Sequence, residues 1–403
     1  MTRQRVSIRE ALELIMDAMP LQPAERVPLF SAVGRTLRET IMAERDQPPF
    51  DRVTMDGIAL AHRDWAAGTR SFRVAGTQGA GAAPLALDAP GACIEVMTGS
   101  ALPAGADCIV PVERLSLEDG VASIEAAYEP RPGTSIHRRG SDYRQGAVLL
   151  APGARLGAAQ IAVATLGGSA DIAVSRQPRI AIASTGDELV PPGAAVGPAS
   201  IRASNDRAIE AALRLRGHPV EACALLPDDP AVLRSELGRM LEGCEVLIVS
   251  GGVSMGQYDH VPATLTALGV EPVFHKVTQR PGLPLWFGRK GADKVVFALP
   301  GNPVSSLVCT VRYVLPALAQ ALGARAEQPR RVALAEAVEF RPDLSYLLPV
   351  VVMWRPDGTY HAVPRPTNTS GDFVALAGTD GFVELPRGQD LFPAGYVAPF
   401  FRW

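Results

Sequence analysis

The chain lacks a dominant charge, a cysteine pattern and a long apolar segment, and each lack excludes a class of protein. Among its 403 residues, 39 Lys and Arg nearly balance 42 Asp and Glu, which argues against a coat for nucleic acid or another polyanion. Its five cysteines and six histidines show no CxxC or zinc-ligand spacing, so we expect reduced thiols. No apolar run approaches the roughly 18–20 residues that span a bilayer, so we expect a cytoplasmic protein without membrane contact.

Glycine and proline are abundant, with 38 and 35 residues, which predicts many turns and short strands. Near the N-terminus, Ser7 and Glu10 have the spacing of a capping box and predict a helix that ends at Pro20. A second helix is predicted over about 24–38. Short β-rich pieces between 72 and 125 predict a small all-β domain. The mixed segment 136–174 would rejoin the N-terminal helices and make that β-rich piece an insertion.

From about residue 178, strands alternate regularly with helices. The predicted strands are 179–184, 220–226, 245–250, a possible edge strand 272–277, and 294–299. The predicted helices are 205–216, 230–241, 261–268 and 303–322. This alternation predicts an α/β domain with a mostly parallel sheet covered on both faces. After 328, strands predicted at 332–340, 347–354, 360–363, 373–377, 381–385 and 396–401 indicate a small β-barrel-like domain.

Ligands of open α/β sheets bind at the carboxyl ends of the strands, and four polar loops leave those ends here. The loop after residue 250 contains Gly251, Gly252 and Ser254 and precedes a helix. Glycines allow backbone N–H groups to approach an anion, so the composition fits a phosphate cradle. A plain strand-to-helix turn explains the same residues equally well.

Three acidic residues are expected at the same edge of the sheet. Glu188, Asp228 and Asp259 could together hold magnesium, a hard cation that shares its ligands between carboxylates and substrate phosphates. Alternatively, Asp228 and Asp259 could cap helices, although Asp229 is the better cap before Pro230.

Basic and rigid segments lie near these acids in the predicted sheet. Lys276 and Arg280 follow the possible edge strand and are candidates for anion binding. A basic surface exposed to solvent would explain the same two residues. The segments Pro281–Pro284 and Pro300–Pro303 are rigid loops that suit the positioning of a multivalent oxyanion. No protein nucleophile can be identified, which fits a reaction whose nucleophile arrives with the substrate.

Taken together, these segments resemble the molybdopterin molybdenumtransferase family, which is related to the E domain of gephyrin. The resemblance extends from Ala11 to the C-terminus. Its motifs are Pro48–Asp51, Met55–Gly57, Met97–Gly99, Gly140 with Asp142, Ser184–Leu189, Ser250–Ser254 with Asp259, Arg280–Gly282, and Leu299–Ser305. Each motif is weak alone, but their order and spacing are specific.

The resemblance implies an elongated chain of four domains. We place these at 1–45 with 143–177 (discontinuous), 46–142 (inserted, β-rich), 178–327 (three-layer α/β, molybdopterin-binding) and 328–403 (C-terminal β-barrel). It also implies a homodimer with an active-site cleft shared between subunits, and contacts with molybdopterin adenylyltransferase and molybdoenzyme chaperones. The implied reaction inserts molybdenum from molybdate into adenylylated molybdopterin with magnesium and releases AMP.

Residue roles follow from the resemblance, position by position. The implied catalytic residues are Glu188, Asp228, Asp259, Asp56, Thr98 and Asp142, of which the first three are metal-linked. The implied substrate-binding residues are Gly251, Gly252, Ser254, Lys276, Arg280, Pro284, Pro300, Gly301, Asn302, Ser305 and Ser370.

The sequence departs from the family pattern at three places. Arg280 and Leu283 stand where the family usually has lysines, and Ser141 stands where Glu is common. A basic residue that the family uses in its last domain has only Arg341 as a candidate. Leu283 removes a cation from the implied oxyanion pocket and favours an alternative, a paralogue that binds the pterin or acts as a scaffold with weak insertase activity. The preceding adenylyltransferase, a third possibility, would not need the flanking domains.

Overall fold

A computed structural model describes residues 3–253, 259–356 and 358–403. These residues form two compact units. The first unit comprises 1–39, 152–157 and 172–403, and the second comprises 40–151 and 158–171. The predicted multidomain α/β-plus-β fold class is confirmed by the sheets that follow, while the division into four domains stays a prediction.

The first unit contains a seven-stranded sheet. In spatial order its strands are Arg3–Val6, Glu271–Val277, Trp286–Lys290, Lys294–Leu299, Val246–Ser250, Ile180–Thr185 and Ala222–Leu226. Within this sheet, Trp286–Lys290 runs antiparallel to both neighbours, and the remaining pairs are parallel. The prediction of a mostly parallel sheet is therefore confirmed.

Helices cover both faces of this sheet because alternate strand residues point to opposite sides. Ile180 and Ile182 pack in one core, and Ala181 and Ala183 pack in the other. The helices over the first face are Ile8–Ala18, Asn205–Leu215 and the continuous run Pro303–Ala321. The helices over the second face are Pro230–Gly243 and Val261–Ala267.

The first strand and helix of the chain pack with the seven-stranded sheet. Arg3–Val6 forms the edge strand of the sheet beside Glu271–Val277. Helix Ile8–Ala18 begins with the predicted capping box, in which Ser7 and Glu10 each bond the other's backbone N–H. Its apolar face packs in the core of the sheet. The predicted helix and its capping box are confirmed.

The C-terminal strands close into a five-stranded barrel. These strands are Arg330–Leu334, Ser345–Trp354, Tyr360–Pro364, Gly381–Leu385 and Val397–Arg402. Closure occurs because Ser345–Trp354 pairs with both Tyr360–Pro364 and Gly381–Leu385. The short strand Gln279–Arg280 adds to the barrel in parallel with the start of Ser345–Trp354. The predicted β-barrel is confirmed, although Asp357 of the predicted turn lies outside the described residues.

The second unit contains a six-stranded sheet with the order Cys108–Pro111, Gly57–Leu60, Ala92–Val96, Ser71–Gln78, Val121–Ile124 and Leu115–Glu118. Two short ribbons join Arg52–Val53 to Ile136–His137 and Ile41–Met42 to Val148–Leu150. The helices His62–Ala66 and Ala158–Leu166 complete it. Apolar side chains pack on both faces of the larger sheet.

Two elements were predicted wrongly. The segment 24–38 is not a helix: Ala24–Pro28 is a strand paired with Asp171–Ser175, and a 3-10 turn, Leu29–Ala32, follows. Pro28 cannot donate a backbone bond and ends the strand. The segment 373–377 is not a strand, since it contains the 3-10 helix Val374–Leu376.

The run Pro303–Ala321 is long and apolar enough by composition to cross a bilayer, with a mean hydropathy of 1.3. Most of it is buried inside the first unit, where it forms part of the sheet's core. Burial of this kind is typical of the central helix of a folded domain.

Candidate functional site

Buried polar atoms without partners collect at the carboxyl edge of the seven-stranded sheet. Among the described residues, nine buried side-chain atoms lack a hydrogen-bond partner. Five of the nine belong to this edge: Ser184 Oγ, Thr185 Oγ1, Asn205 Oδ1, Asp206 Oδ1 and Asp228 Oδ1. A buried polar atom left unpaired costs about 1–3 kcal/mol, so such a cluster indicates a place prepared for a ligand.

Glycines bring the backbone of three strand-end loops together at this edge. Gly251 and Gly252 have φ values of +102° and +64°, the left-handed region that favours glycine. A Cβ on Gly251 would lie 2.5 Å from the carbonyl oxygen of Thr185, and one on Gly301 would lie 3.4 Å from Gly251 Cα. A side chain at position 251 would push its loop away from Thr185, whereas a Cβ at position 301 would only reach van der Waals contact with Gly251. Ser254, predicted in the same loop, lies outside the described residues.

Asn205, which the sequence analysis did not single out, links two of these loops by hydrogen bonds. Its Nδ2 donates to Ser250 Oγ at 2.8 Å and to the Gly301 carbonyl at 2.7 Å. Both amide hydrogens are thereby used, so Oδ1 is fixed as an acceptor, and it has no donor among the described residues. A hollow of about 610 Å³ lies beside it at the start of the helix and is lined in part by Arg202 and Phe373.

Asp228 lies among other carboxylates. Its backbone N–H donates to Asp187 Oδ1 at 3.0 Å. Burial, together with Asp187 and Glu188 nearby, raises the pKa of Asp228. Asp229, not Asp228, caps the following helix, since its Oδ1 accepts from the N–H groups of Ala231 and Val232. Asp228 is therefore left available for another role.

The magnesium site of Glu188, Asp228 and Asp259 stays a prediction. The described residues contain no group of three or more His, Cys, Asp or Glu side chains placed to hold a metal ion. Glu188 contributes to the raised pKa of Asp228, and Asp259 raises the pKa of His275. The strand before Glu188 has the strands before Asp228 and Asp259 as its two neighbours in the sheet.

His275 links the glycine-rich loop to strand Glu271–Val277, which was expected at the edge of the sheet but is paired on both sides. Its Nε2 lies 3.2 Å from the Val253 carbonyl, which can only accept, so Nε2 carries the proton and donates. Burial lowers the pKa of His275, Lys276 lowers it further, and Asp259 opposes the change. Lys276 itself adopts φ +74°, a left-handed conformation that is rare outside glycine. Its N–H donates to the Leu285 carbonyl at 2.8 Å, so the tertiary fold holds this conformation.

The rigid loop 281–284 follows the short strand Gln279–Arg280, which pairs with the barrel, and precedes strand Trp286–Lys290 of the seven-stranded sheet. Arg280 is exposed and pairs in register with Tyr346 of the barrel, and Leu283 and Pro284 are half-buried. The second rigid loop carries Pro300, Gly301 and Asn302 at the carboxyl end of strand Lys294–Leu299.

Ser370 lies against the start of the helix run Pro303–Ala321. Asn302 is the N-cap residue, but its Nδ2 donates to Ser370 Oγ at 2.6 Å instead of capping the helix. The N–H of Val304 donates to the Ser370 carbonyl at 3.1 Å. The structure thus brings Ser370 to the loop of Asn302 and to the buried Ser305, which are 68 and 65 positions earlier in the chain. Arg341, in contrast, is exposed and pairs with Glu339.

In the second unit, Asp56 and Thr98 form one hydrogen-bonded pair. Asp56 Oδ1 accepts from the N–H of Thr98 at 2.6 Å and from its Oγ1 at 2.7 Å. These two bonds lower the pKa of Asp56. Gly57 explains the motif: a Cβ there would lie 2.0 Å from the Val110 carbonyl oxygen, so the strand packs too closely for any side chain.

Asp142 of the same unit is held by a histidine that the sequence analysis did not consider. His137 Nε2 lies 2.8 Å from Asp142 Oδ1, and an Arg52 nitrogen lies 3.0 Å from His137 Nδ1. An arginine can only donate, so Nδ1 accepts and Nε2 carries the hydrogen that bonds Asp142. No local sequence pattern marks the bond that orients His137, because Arg52 is 85 residues away from it.

Comparisons with known proteins cover the whole chain. Residues 6–168 match the MoeA N-terminal region (domain I and II), 181–320 match a probable molybdopterin binding domain, and 331–401 match the MoeA C-terminal region (domain IV). The chain is 37% identical to a molybdopterin molybdenumtransferase of Synechocystis, covering 99% of this chain and all of that protein. It is 35% identical to one of Synechococcus elongatus, covering 97% and 98%.

A solved structure shows the same fold. The molybdopterin biosynthesis moeA protein of Pyrococcus horikoshii is 29% identical to this chain, with 99% of each chain covered and a TM-score of 0.82.

Proposed function

The chain belongs to the molybdopterin molybdenumtransferase (MoeA) family, enzymes of molybdenum cofactor biosynthesis, and from this premise we propose that it inserts molybdenum from molybdate into adenylylated molybdopterin and releases AMP. One observation carries the proposal. Five buried polar atoms without partners lie at the carboxyl edge of the sheet, where an α/β fold binds its ligand, and one of them, Thr185 Oγ1, lies beside Gly251 and Gly252.

The proposed reaction needs no nucleophile from the protein. An oxygen of molybdate attacks the phosphorus that bears the pterin, the bridging P–O bond breaks, and AMP leaves with the bridging oxygen. The two dithiolene thiols replace one oxygen of molybdenum, which leaves as water, and a second water hydrolyses the Mo–O–P link. The protein has to orient two anions that repel each other and to neutralise charge as it develops. Lys276 and Arg280, at the two ends of the segment that leads into the rigid loop, are proposed to supply that positive charge.

We propose magnesium as the metal, held by Asp228 and Glu188 together with phosphate oxygens of the substrate. Magnesium in proteins is commonly bound by one or two carboxylates plus substrate phosphates, so a third carboxylate is not required. The unpartnered Oδ1 of Asp228 and the raised pKa of this carboxyl fit a cation at this place, since a cation would relieve the repulsion from Asp187 and Glu188. Asp259 is not part of the proposed pair.

Asp56, Thr98 and Asp142 are proposed to complete the catalytic set as a polar surface on the second unit. We further propose a cytoplasmic homodimer that receives its nucleotide from molybdopterin adenylyltransferase. These roles are implied by the family resemblance at the residues of this chain that match the family's motifs.

The test is an AMP-release assay on the purified protein with adenylylated molybdopterin, magnesium and increasing molybdate. We expect AMP release that saturates with molybdate and stops when magnesium is chelated. If the pterin nucleotide binds but AMP stays attached at every molybdate concentration, the protein is a binding paralogue, the alternative that Leu283 favours. If the nucleotide does not bind, both functions are wrong.

A further inference from the structure

Thr185 ends strand Ile180–Thr185 with a buried hydroxyl that binds nothing among the described residues. The residue is 4% exposed, and its Oγ1 has no hydrogen-bond partner within that part of the chain. Thr310 shows the usual arrangement for a buried threonine, since its Oγ1 donates to the Ser306 carbonyl at 2.8 Å. An unpaired buried hydroxyl is costly to the folded state, so Thr185 indicates a place for a ligand.

The sheet places this hydroxyl at the same end as Asp228. Side chains alternate along a strand, and Ile182 and Ala183 pack in opposite cores. Thr185 therefore lies on the side of Ala183, where Leu226, its partner on the neighbouring strand, also packs. Asp228 follows Leu226 by two residues, in the loop that leaves the same edge of the sheet.

The Thr185 hydroxyl and the Asp228 carboxylate face each other without forming a hydrogen bond. Burial, Asp187 and Glu188 raise the pKa of Asp228, and Thr185 acts in the opposite direction, which requires its hydroxyl to lie close to the carboxyl group. Yet Thr185 Oγ1 and Asp228 Oδ1 both lack a hydrogen-bond partner among the described residues. Two neighbouring buried oxygens left unpaired in this way suit a hard cation, which binds the lone pairs of both.

Two glycines leave this hydroxyl uncrowded on the side of the glycine-rich loop. A Cβ on Gly251 would lie 2.9 Å from Thr185 Oγ1, and one on Gly252 would lie 3.1 Å from the same atom. Side chains at these positions would press on the hydroxyl. Their absence brings it beside the backbone of the loop whose composition fits a phosphate cradle.

We propose that Thr185 supplies an uncharged oxygen ligand to the divalent cation that Asp228 binds. A serine or threonine hydroxyl has this role towards magnesium in P-loop proteins, where it lies beside a glycine-rich phosphate loop. The hydroxyl hydrogen stays free to donate to a phosphate oxygen of the substrate. The inference rests on the proposed function and adds a ligand without a charge to the proposed pair of carboxylates.

The test compares Thr185→Val with a matched control, Thr310→Val. Each change replaces one buried hydroxyl by a methyl group of similar size. The probe is manganese(II) alone, an oxygen-binding divalent ion whose binding is followed by electron paramagnetic resonance. Thr185→Val should raise the Kd for manganese by about tenfold, because a ligand is lost, and Thr310→Val should leave it unchanged.

Thermal unfolding without metal separates a ligand from a structural hydroxyl. Thr185→Val should not lower Tm, because the hydroxyl that it removes is unpaired, whereas Thr310→Val should lower Tm, because its hydrogen bond is lost. Thr185→Ser retains the oxygen and should keep the Kd for manganese within about twofold of the unmodified protein. If Thr185→Val does not fold, Thr185→Ala removes the same oxygen and should raise this Kd as much.

Other results decide against the ligand. Equal Kd values for Thr185→Val and the unmodified protein would overturn it, as would equal weakening in Thr310→Val or no recovery in Thr185→Ser. No binding of manganese by the unmodified protein would also overturn it. Binding that depends on Thr185, but without AMP release in the assay above, would contradict only the proposed function.

Discussion

His218 shows at the scale of one residue how burial makes stability depend on pH. It is 6% exposed, and its Nδ1 lies 3.3 Å from Gln177 Oε1. Burial, with a smaller contribution from Arg155, lowers its pKa from 6.5 to about 4. The folded chain therefore resists a proton that the unfolded chain accepts.

We predict that the free energy of unfolding falls as the pH decreases from about 6.5 to about 4. In this window the unfolded state binds the proton first, and the integrated loss from His218 is about 3 kcal/mol. Above the window both states are neutral, and below it both are protonated. His218→Gln should remove this part of the acid loss, as measured by urea unfolding at pH 7 and 4.5. An identical loss in both proteins would mean that other groups cause it.

Sequence analysis found site residues that have a local signal, and it missed residues whose hydrogen-bond partners lie far away in the chain. Asp56 and Thr98 stand out because each adjoins a glycine in an apolar segment. Asn205 does not stand out, because its role depends on Ser250 and Gly301, which are 45 and 96 residues away. An unpartnered acceptor can be recognised only after the partners of the neighbouring atoms are known.

At the scale of elements, the start of helix Pro230–Gly243 shows how two adjacent carboxylates differ: Asp229 stabilises the helix, and Asp228 is a candidate for function. Asp229 accepts two backbone bonds at 2.8 and 2.9 Å, while Asp228 accepts none at its buried Oδ1 within the described residues. Sequence spacing alone predicted Asp229 as the better cap, since Pro230 follows it.

We predict opposite effects for these neighbouring positions. Asp229→Ala should lower the free energy of unfolding by about 1 kcal/mol, the usual cost of a lost N-cap, and leave AMP release intact. Asp228→Asn should not lower stability, because burial and two carboxylates already disfavour its charge, but it should abolish magnesium-dependent AMP release. Thermal unfolding and the AMP assay on both variants measure this. An active Asp228→Asn protein would remove Asp228 from the proposed metal pair.

Elements with a strong local signal were predicted well, and those that depend on distant pairing were not. Strand Lys294–Leu299 matches its prediction because a continuous apolar run between turns specifies a buried strand. Ala24–Pro28 was predicted as helix, yet it is a strand because residues 171–175 supply its partner. Residues 373–377 form a short apolar run, as in a buried strand, but Phe373 and Leu376 meet the core from a 3-10 turn.

At the scale of the whole molecule, the N-terminus contributes to a sheet formed mainly by residues beyond 178. Val6 is 5% exposed, pairs with Val277 and accepts a bond from the N–H of Thr278 at 2.8 Å. The chain's first residues therefore support the strand that carries Lys276.

We predict that Val6→Ala lowers the free energy of unfolding by about 2 kcal/mol, since two buried carbons are lost and a cavity forms. The matched control is Val148→Ala in a short strand of the second unit, where Val148 is 59% exposed. Its effect should stay below about 0.5 kcal/mol. Chemical denaturation of both variants measures the difference. Equal effects would mean that the edge strand contributes little.

The sequence by itself determined the α/β class, the parallel core strands and the closing β-domain, because these depend on local periodicity and turn residues. Only the tertiary structure decided that Asn205 bonds Ser250 and Gly301, that Arg52 bonds His137, and that the Tyr313 hydroxyl bonds Gln279. Each of those facts is a contact between residues far apart in the chain, and local sequence patterns contain no information about which distant side chains the folded core brings together.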